Sequence, residues 1–474
     1  MFSTLPAELL LSIASYLDDH TDTLHLAYCC QAFYRLLLPK VFKSLDLLKH
    51  CNGHLCHLVH KFISYPQFAR EVRTLRVYNG WRPTSSVRYD QEPIHALLVA
   101  IFGPGDDLSA WERRLQIDED NDAFLALLLH LLPNLESLWV QVHDVSNHTL
   151  NMLGRIAYTD KHFQPNMPLS NLREITVEWL DAQGGIRTDD ILPIFRLPSL
   201  RSFHGKMICD GDNNDNSNDD DNEFDAAGYI PGNAGSSSVT HIDLRSSCSQ
   251  KGFADLINAP KRLESFVFEH SNDPNLSEDD DVYASRFYPS LHKHRNSLQE
   301  IVLAYDESTG DECYGWDYVG SFVDFPALRK LRLRATSILD WEQWGAGENA
   351  SQNTLKDVLP PSLETLIIDG MQRAQMEELA NGFAILLSGG NTHCPFLRYV
   401  EITSDWMSEE QSTEESNLRP RPIPDMLPEY ASFKDTIESL CSAAGVEFCL
   451  RDLHVEHIIE ENRSSRRSQR RSRN

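Results

Sequence analysis

Beyond residue 70 the chain repeats one pattern: a turn that often holds Pro, an apolar anchor, then two apolar positions that alternate with polar ones. The copies are Val72/Leu75/Val77, Leu135/Leu138/Val140, Leu172/Ile175/Val177, Leu200/Phe203 and Val239/Ile242/Leu244. They continue as Leu263/Phe266/Phe268, Leu298/Ile301/Leu303, Leu328/Leu331/Leu333, Leu363/Leu366/Ile368 and Leu397/Val400/Ile402, with Val446/Phe448/Leu450 as a closing copy. From Leu135 to Leu397 successive anchors lie 24 to 39 residues apart. The period of two predicts strands buried on one face. The intervals leave room for helices, most clearly Ala374 to Ser388, where Met376, Leu379, Ala380, Phe383 and Leu387 share a face and Gly389-Gly390 makes the stop. Strand, helix, strand at this spacing implies right-handed crossovers and a parallel sheet. Repeated many times, it predicts a curved stack whose units do not stand alone. An irregular α/β domain is the alternative.

The first 45 residues carry a helical period instead. Pro6 suits a first helical turn, where its missing N–H costs nothing, and Glu8 complements the positive helix end. Leu9, Leu10, Ile13, Ala14 and Leu17 then form one broad apolar face. Asp22 is placed to cap a second helix with apolar residues Leu24, Leu26, Ala27, Cys30 and Phe33; Leu36 to Leu38 and Pro39 end that run, before Val41, Phe42, Leu45 and Leu47. Helices this short leave apolar surface over, for a neighbouring domain or for a partner.

The run LPAELLLSIASYLDDHTDTLHLAYCCQAFYRLLLPKVF resembles an F-box, particularly the form common in filamentous fungi, over residues 3–45. The resemblance implies docking onto the Skp adaptor of an SCF-type cullin-RING ubiquitin ligase. It makes Leu5, Pro6, Leu9, Ile13, Leu24, Cys30 and Phe33 the adaptor-facing or module-core residues. Phe33 stands where many F-boxes have Trp, and Thr23 where many have Leu. The later copies resemble leucine-rich repeats, with longer, less regular units and no dependable Asn ladder. The expected fold is therefore α/β: a small all-α F-box, then an irregular leucine-rich-repeat-like β/α solenoid with a curved parallel sheet. The expected organisation is an F-box at 1–45, a linker helix at 46–69, a solenoid at 70–455 and an Arg/Ser-rich disordered tail at 456–474. An acidic disordered insertion at about 209–228 and an acidic, Pro-rich loop at about 405–428 interrupt the solenoid.

In such an array the residues between the apolar strand positions line the concave side. They include Ser137, Trp139 and Gln141; Glu174, Thr176 and Glu178; His241, Asp243 and Arg245; Ser265 and Glu269. Lys330, Arg332 and Arg334 make one basic rung, followed by Thr365, Asp369, Tyr399 and Glu401. Trp139, Glu178, Asp243, Lys330, Arg332, Arg334 and Glu401 are the candidate substrate contacts. Basic groups of the partner would meet the early repeats and an acidic group would approach Arg332. A solvated strand face is the plainer reading of any one of these positions.

Composition narrows the classes. The net charge of −27, from 70 acidic and 43 basic residues, argues against a protein that binds nucleic acid by neutralising phosphates. Ten cysteines without a disulfide rhythm read as reduced thiols of an intracellular chain, cytoplasmic or nuclear. No secretory signal is legible, and no run approaches the ~18 apolar residues of a membrane span.

Several segments offer other chemistry. Asp212, Asn214, Asn216 and Glu223 fall at calcium-loop spacing, but Ser217 replaces the required Gly. His50, Cys51, His54, Cys56, His57 and His60 cluster without a Cys-x-x-Cys pair, in a segment that reads as a helix burying Leu55, Leu58, Val59 and Phe62. Tyr314, Trp316, Trp341 and Trp344 sit in expected loops, either as partner anchors or packed over the solenoid's edge. The tail from Arg463 suits nuclear import or acidic surfaces. No phosphate-cradling Gly loop, nucleophile elbow or paired-His motif is present, so no catalysis, metal or cofactor is expected. The expected function is substrate recognition for a ubiquitin ligase, with the Skp adaptor, the cullin scaffold and an unknown protein substrate as partners, and neither membrane nor nucleic acid. A repeat scaffold without a ligase role is the alternative.

Overall fold

A computed structural model of the chain describes residues 6–17, 20–47, 54–78, 91–103, 106–117, 121–142, 148–158, 167–180, 184–211, 234–271, 283–305, 317–339, 354–388, 392–404 and 426–452, with Val455 and Ile459. It divides into two compact units. The first comprises Met1–Ile208, Asn213–Thr240 and Ala259–Lys261; the second comprises Cys209–Asp212, His241–Asn258 and Arg262–Asn474.

The first unit opens with three helices, α1 (Ala7–Ser15), α2 (His20–Tyr28) and α3 (Gln31–Lys43). The second helix begins at His20, so Asp22 sits in its first turn and does not cap it. A third helix begins where the sequence suggested that the second continued. Cys30 takes an extended conformation and its Sγ accepts from the Phe33 N–H at 3.5 Å, which caps α3. Pro39 lies inside α3 rather than ending it. Pro39 lies about one turn from the helix end and cannot donate the backbone bond to the Arg35 carbonyl.

That strand, β1 (Ser44–Leu47), pairs parallel with β2 (Thr74–Val77), and α4 (His54–Ser64) lies between them. The helices α5 (Gln91–Phe102), α6 (Asp106–Ile117) and α7 (Asn121–His130) separate β2 from β3 (Ser137–Val142). After α8 (His148–Tyr158) come β4 (Glu174–Trp179) and β5 (Ser202–Lys206). The strands pair in chain order, all parallel. Leu75, Leu138, Ile175 and Phe203 stand in one register, and all four are fully buried.

The second unit repeats the scheme with β6 (His241–Ser247), β7 (Ser265–His270), β8 (Glu300–Tyr305), β9 (Lys330–Arg334), β10 (Thr365–Asp369), β11 (Tyr399–Thr403) and β12 (Glu447–Arg451). Neighbours again pair parallel in chain order. Ile242, Phe266, Ile301, Leu331, Leu366 and Val400 form one apolar row across it, every member buried. Each contributes roughly 1.5–3 kcal/mol by leaving water, so the row outweighs any single polar contact at the surface. The longer helices are α9 (Met376–Leu387) and α10 (Pro428–Ala443); the other helices described in this unit have six residues or fewer. Each unit thus has the parallel sheet and flanking helices of a leucine-rich-repeat-like α/β solenoid.

The turns that feed the strands are tied repeat to repeat by the residue just before the anchor. Asn171 Nδ2 donates to the Pro133 carbonyl at 3.2 Å and Ser199 Oγ to the Ser170 carbonyl at 2.7 Å. In the second unit Ser297 Oγ donates to Leu263 O at 2.7 Å and Ser362 Oγ to Leu328 O at 2.8 Å. Asn or Ser before Leu therefore does the work of an asparagine ladder, satisfying turn carbonyls that burial would otherwise leave unpaired.

Candidate functional site

Helix α1 presents two apolar stripes side by side. Leu10 and Ala14 turn inward and pack with Ala27, Phe33 and Leu37 into a small core, with Leu26 and Leu36 at its margin. Leu9, Ile13 and Tyr16, at i, i+4 and i+7, form the other stripe and are 52%, 41% and 81% exposed. Lys40 Nζ donates to the Ala14 carbonyl at 2.5 Å, tying α3 to the end of α1. The sequence-expected residues therefore separate. Leu9 and Ile13 face solvent, Pro6 and Cys30 are exposed, Leu24 is half-buried and Phe33 belongs to the module core. Leu5 lies outside the described residues. Thr23 is buried. Tyr16 and Tyr28, the latter 67% exposed and stacked on Tyr34, are surface aromatics that the sequence did not single out.

The second candidate surface is the face of each sheet opposite the apolar rows. In the first unit Trp139 is half-buried: its Nε1 donates to Glu178 at 3.0 Å and the Arg76 guanidinium lies 5.6 Å from its ring centre. In the second unit Arg245 reaches Asp243 at 2.6 Å and Glu269 at 2.7 Å. Lys330 meets Glu300 at 2.8 Å, and Arg451 meets Glu401 at 3.0 Å. Burial alone would raise the Glu300 carboxyl, but hydrogen bonds from Lys330 and Ser265 outweigh it and hold the group below its usual range.

The rung Lys330–Arg332–Arg334 is thus not an uncompensated positive patch. The acidic group that the sequence reading assigned to a partner near Arg332 is supplied by the chain itself, from Asp369 at 2.6 Å. Arg334 lies over the Tyr305 ring at 5.1 Å. Beneath these charges Val267, Val302 and Ala304 make a small buried apolar floor. A cleft of about 290 Å³ runs along the turns before the strands of this unit. Arg262, Gln299, Arg329, Glu364 and the 57%-exposed Phe396 line it.

The segments with other expected chemistry are mostly outside the described residues: His50, Cys51, Asp212, Asn214, Asn216, Glu223, Tyr314, Trp316, Trp341, Trp344 and the tail from Arg463. Within α4, Cys56 is buried with Leu55, Val59 and Phe62, and burial pushes its thiol up to about 11. Among the described residues no group of His, Cys, Asp and Glu is arranged to hold a metal, and no helix is long and apolar enough to cross a membrane.

Comparison with known families assigns both regions. Residues 52–419 match the leucine-rich repeat domain model, and residues 2–47 match the F-box-like model. No curated protein matches the chain.

Proposed function

The chain belongs to the leucine-rich repeat domain family, and from that premise, joined to its F-box-like front segment, we propose that it is the substrate-recognition subunit of an SCF-type cullin-RING ubiquitin ligase. The observation that carries the reading is the exposed stripe Leu9, Ile13 and Tyr16. It stands on a helix whose neighbouring stripe, Leu10 and Ala14, is already committed to the module core. Fully burying a Leu or Ile side chain is worth roughly 1.5–3 kcal/mol, so covering half-exposed Leu9 and Ile13 supplies about that much together in an apolar partner groove, and the more exposed Tyr16 adds to it.

In this reading the stripe docks on the Skp adaptor, the adaptor joins the cullin scaffold, and the repeats hold a client protein. Proteins built from these two families are typically non-catalytic adaptors. The chain's contribution is proximity: it raises the effective concentration of client lysines near chemistry done by partner subunits, in the cytoplasm or the nucleus. The balanced charges of the second unit's sheet face favour a client of mixed charge over a strongly basic one.

The test is co-purification from cells with the intact chain and with Leu9→Asp/Ile13→Asp in the full chain. Substitution is preferable to deletion, because α3 leads directly into β1, which is paired in the sheet. Partners lost with the substitution are ligase machinery, and those retained are clients. Absence of adaptor and cullin from both samples would favour the repeat scaffold without a ligase role, and their retention by the substituted chain would move the docking surface away from the stripe.

A further inference from the structure

Two cysteines that the docking surfaces leave unused face each other in the second unit. Cys209 ends the two-residue strand Ile208–Cys209 and forms a parallel bridge with Cys248, the residue after β6. Neighbouring strands lie about 4.8 Å apart. That falls inside the roughly 4.4–6.8 Å Cα separation that a disulfide accepts. Directly paired residues of adjacent strands project to the same face, so the two side chains point the same way. Neither is in a disulfide.

Their surroundings differ in the way an attacking and a resolving thiol require. Cys209 is partly exposed, while Cys248 is 5% exposed. The hydrogen bond from Cys248 holds the Cys209 thiol below its usual range, against burial and the neighbouring Asp210 carboxylate, which both push it up. By contrast, burial raises Cys56, Cys394 and Cys441 to about 11, 12 and 11, leaving them as inert thiols.

The frame around the pair is fixed. The Asp210 carboxylate accepts from Ser249 Oγ at 2.9 Å and from the amides of Gln250, Lys251 and Phe253 at 2.5, 3.1 and 2.6 Å. The residue after each cysteine is therefore pinned to the same turn, and bond formation needs little backbone movement.

We propose that Cys209 and Cys248 form a peroxide-oxidisable dithiol, a modification site whose disulfide closes the stretch of chain from residue 209 to residue 248 into a covalent loop. The Cys209 thiolate attacks a peroxide oxygen; the O–O bond breaks, hydroxide leaves and takes the thiol proton as water, and Cys209 becomes a sulfenic acid. The Cys248 sulfur then attacks the sulfenyl sulfur. The S–O bond breaks, the S–S bond forms, and a second water leaves with the Cys248 proton. Two thiols lose two hydrogens and two electrons, and hydrogen peroxide is reduced to two waters.

The test treats the full-length protein with one equivalent of hydrogen peroxide, blocks remaining thiols with iodoacetamide and maps each cysteine by peptide mass spectrometry. Joint loss of labelling at Cys209 and Cys248, with a linked peptide pair that dithiothreitol releases, is expected. In Cys248→Ser, Cys209 should be trapped by dimedone as the sulfenic acid, and in Cys209→Ser the site should stay unmodified. The site-resolved readout keeps oxidation of the exposed Cys29 and Cys30 separate. Full alkylation of both thiols after peroxide overturns the proposal, as does oxidation of Cys209 in the wild type with Cys248 still free to label.

Discussion

Arg332 on β9 donates from Nε to a carboxylate oxygen of Asp369 on β10 at 2.6 Å, with the two side chains 26% and 6% exposed. Burial pushes the Asp369 carboxyl up, and the guanidinium opposes that push. Removing the partner of a buried charge costs ~3–5 kcal/mol, and the exposed quarter of Arg332 lowers that figure. Arg332→Ala should therefore lose about 2–3 kcal/mol in urea unfolding at pH 7. Asp369→Ala should lose less, since it strands a cation that still touches water. Equal small losses would mean that the pair is not coupled.

The F-box-like module separates two kinds of substitution. Phe33 is 8% exposed and packs on Leu10, Ala14, Ala27 and Leu37. Phe33→Ala should cost ~3–5 kcal/mol and melt the module's helices before it affects any interface. Leu9→Asp should leave circular dichroism and unfolding midpoint nearly unchanged, because Leu9 is already 52% exposed. A Leu9→Asp chain as destabilised as Phe33→Ala would place Leu9 in the core.

How much of this was legible beforehand depends on the residue. The alternation Leu138/Val140 or Leu331/Leu333 fixes both strand position and buried face, since a shift by one residue would turn every apolar side chain outward. On α1 the pattern is ambiguous: Leu9/Ile13 and Leu10/Ala14 are both apolar stripes at helical spacing, and only packing against Phe33 and Leu37 chooses between them. Similarly, Val267 and Val302 occupy outward positions in runs apolar on both faces, so their floor was hidden. The capping of α3 by a cysteine and the four-residue β1 lacked any of the usual signals. Ion pairs such as Arg332–Asp369 join residues 37 apart, and no local pattern encodes which neighbour a long side chain will reach. The Asn or Ser before the anchor was visible at positions 134, 171, 199, 297 and 362, but its meaning needed the turn carbonyls opposite.

Buried histidine gives the fold an acid limit. His270 is 3% exposed. Burial lowers its pKa from 6.5 to about 4, with Arg334 adding repulsion and a backbone hydrogen bond at Ser247 opposing. The unfolded chain takes up this proton first as pH falls. The stability contribution is therefore complete above about pH 6.5, declines below it and is gone at about pH 4. Between pH 7.5 and 5 that amounts to about 2 kcal/mol. His270→Phe, among the rings of Phe268 and Tyr305, should remove that share of the pH dependence from the urea midpoint. An unchanged profile would show that His270 binds its proton equally well in the folded and unfolded chains.

Asp210 should act as a local clamp. Charge-assisted hydrogen bonds contribute ~1.5–3 kcal/mol each when a buried carboxylate holds several donors. Asp210→Ala should lose about 3 kcal/mol and speed amide exchange at Gln250, Lys251 and Phe253. Gly252, at φ +70° and with a Cβ position 2.5 Å from the Arg286 carbonyl, leaves that turn no room to adapt. Unchanged exchange at those three amides would contradict the clamp.

The outward stripe of α1 is tested most directly by a calorimetric titration of purified Skp adaptor into the chain. Docking through the stripe predicts saturable one-to-one binding that weakens at least a hundredfold in folded Leu9→Asp/Ile13→Asp. Binding of equal strength in both chains, or none in the wild type, would contradict it.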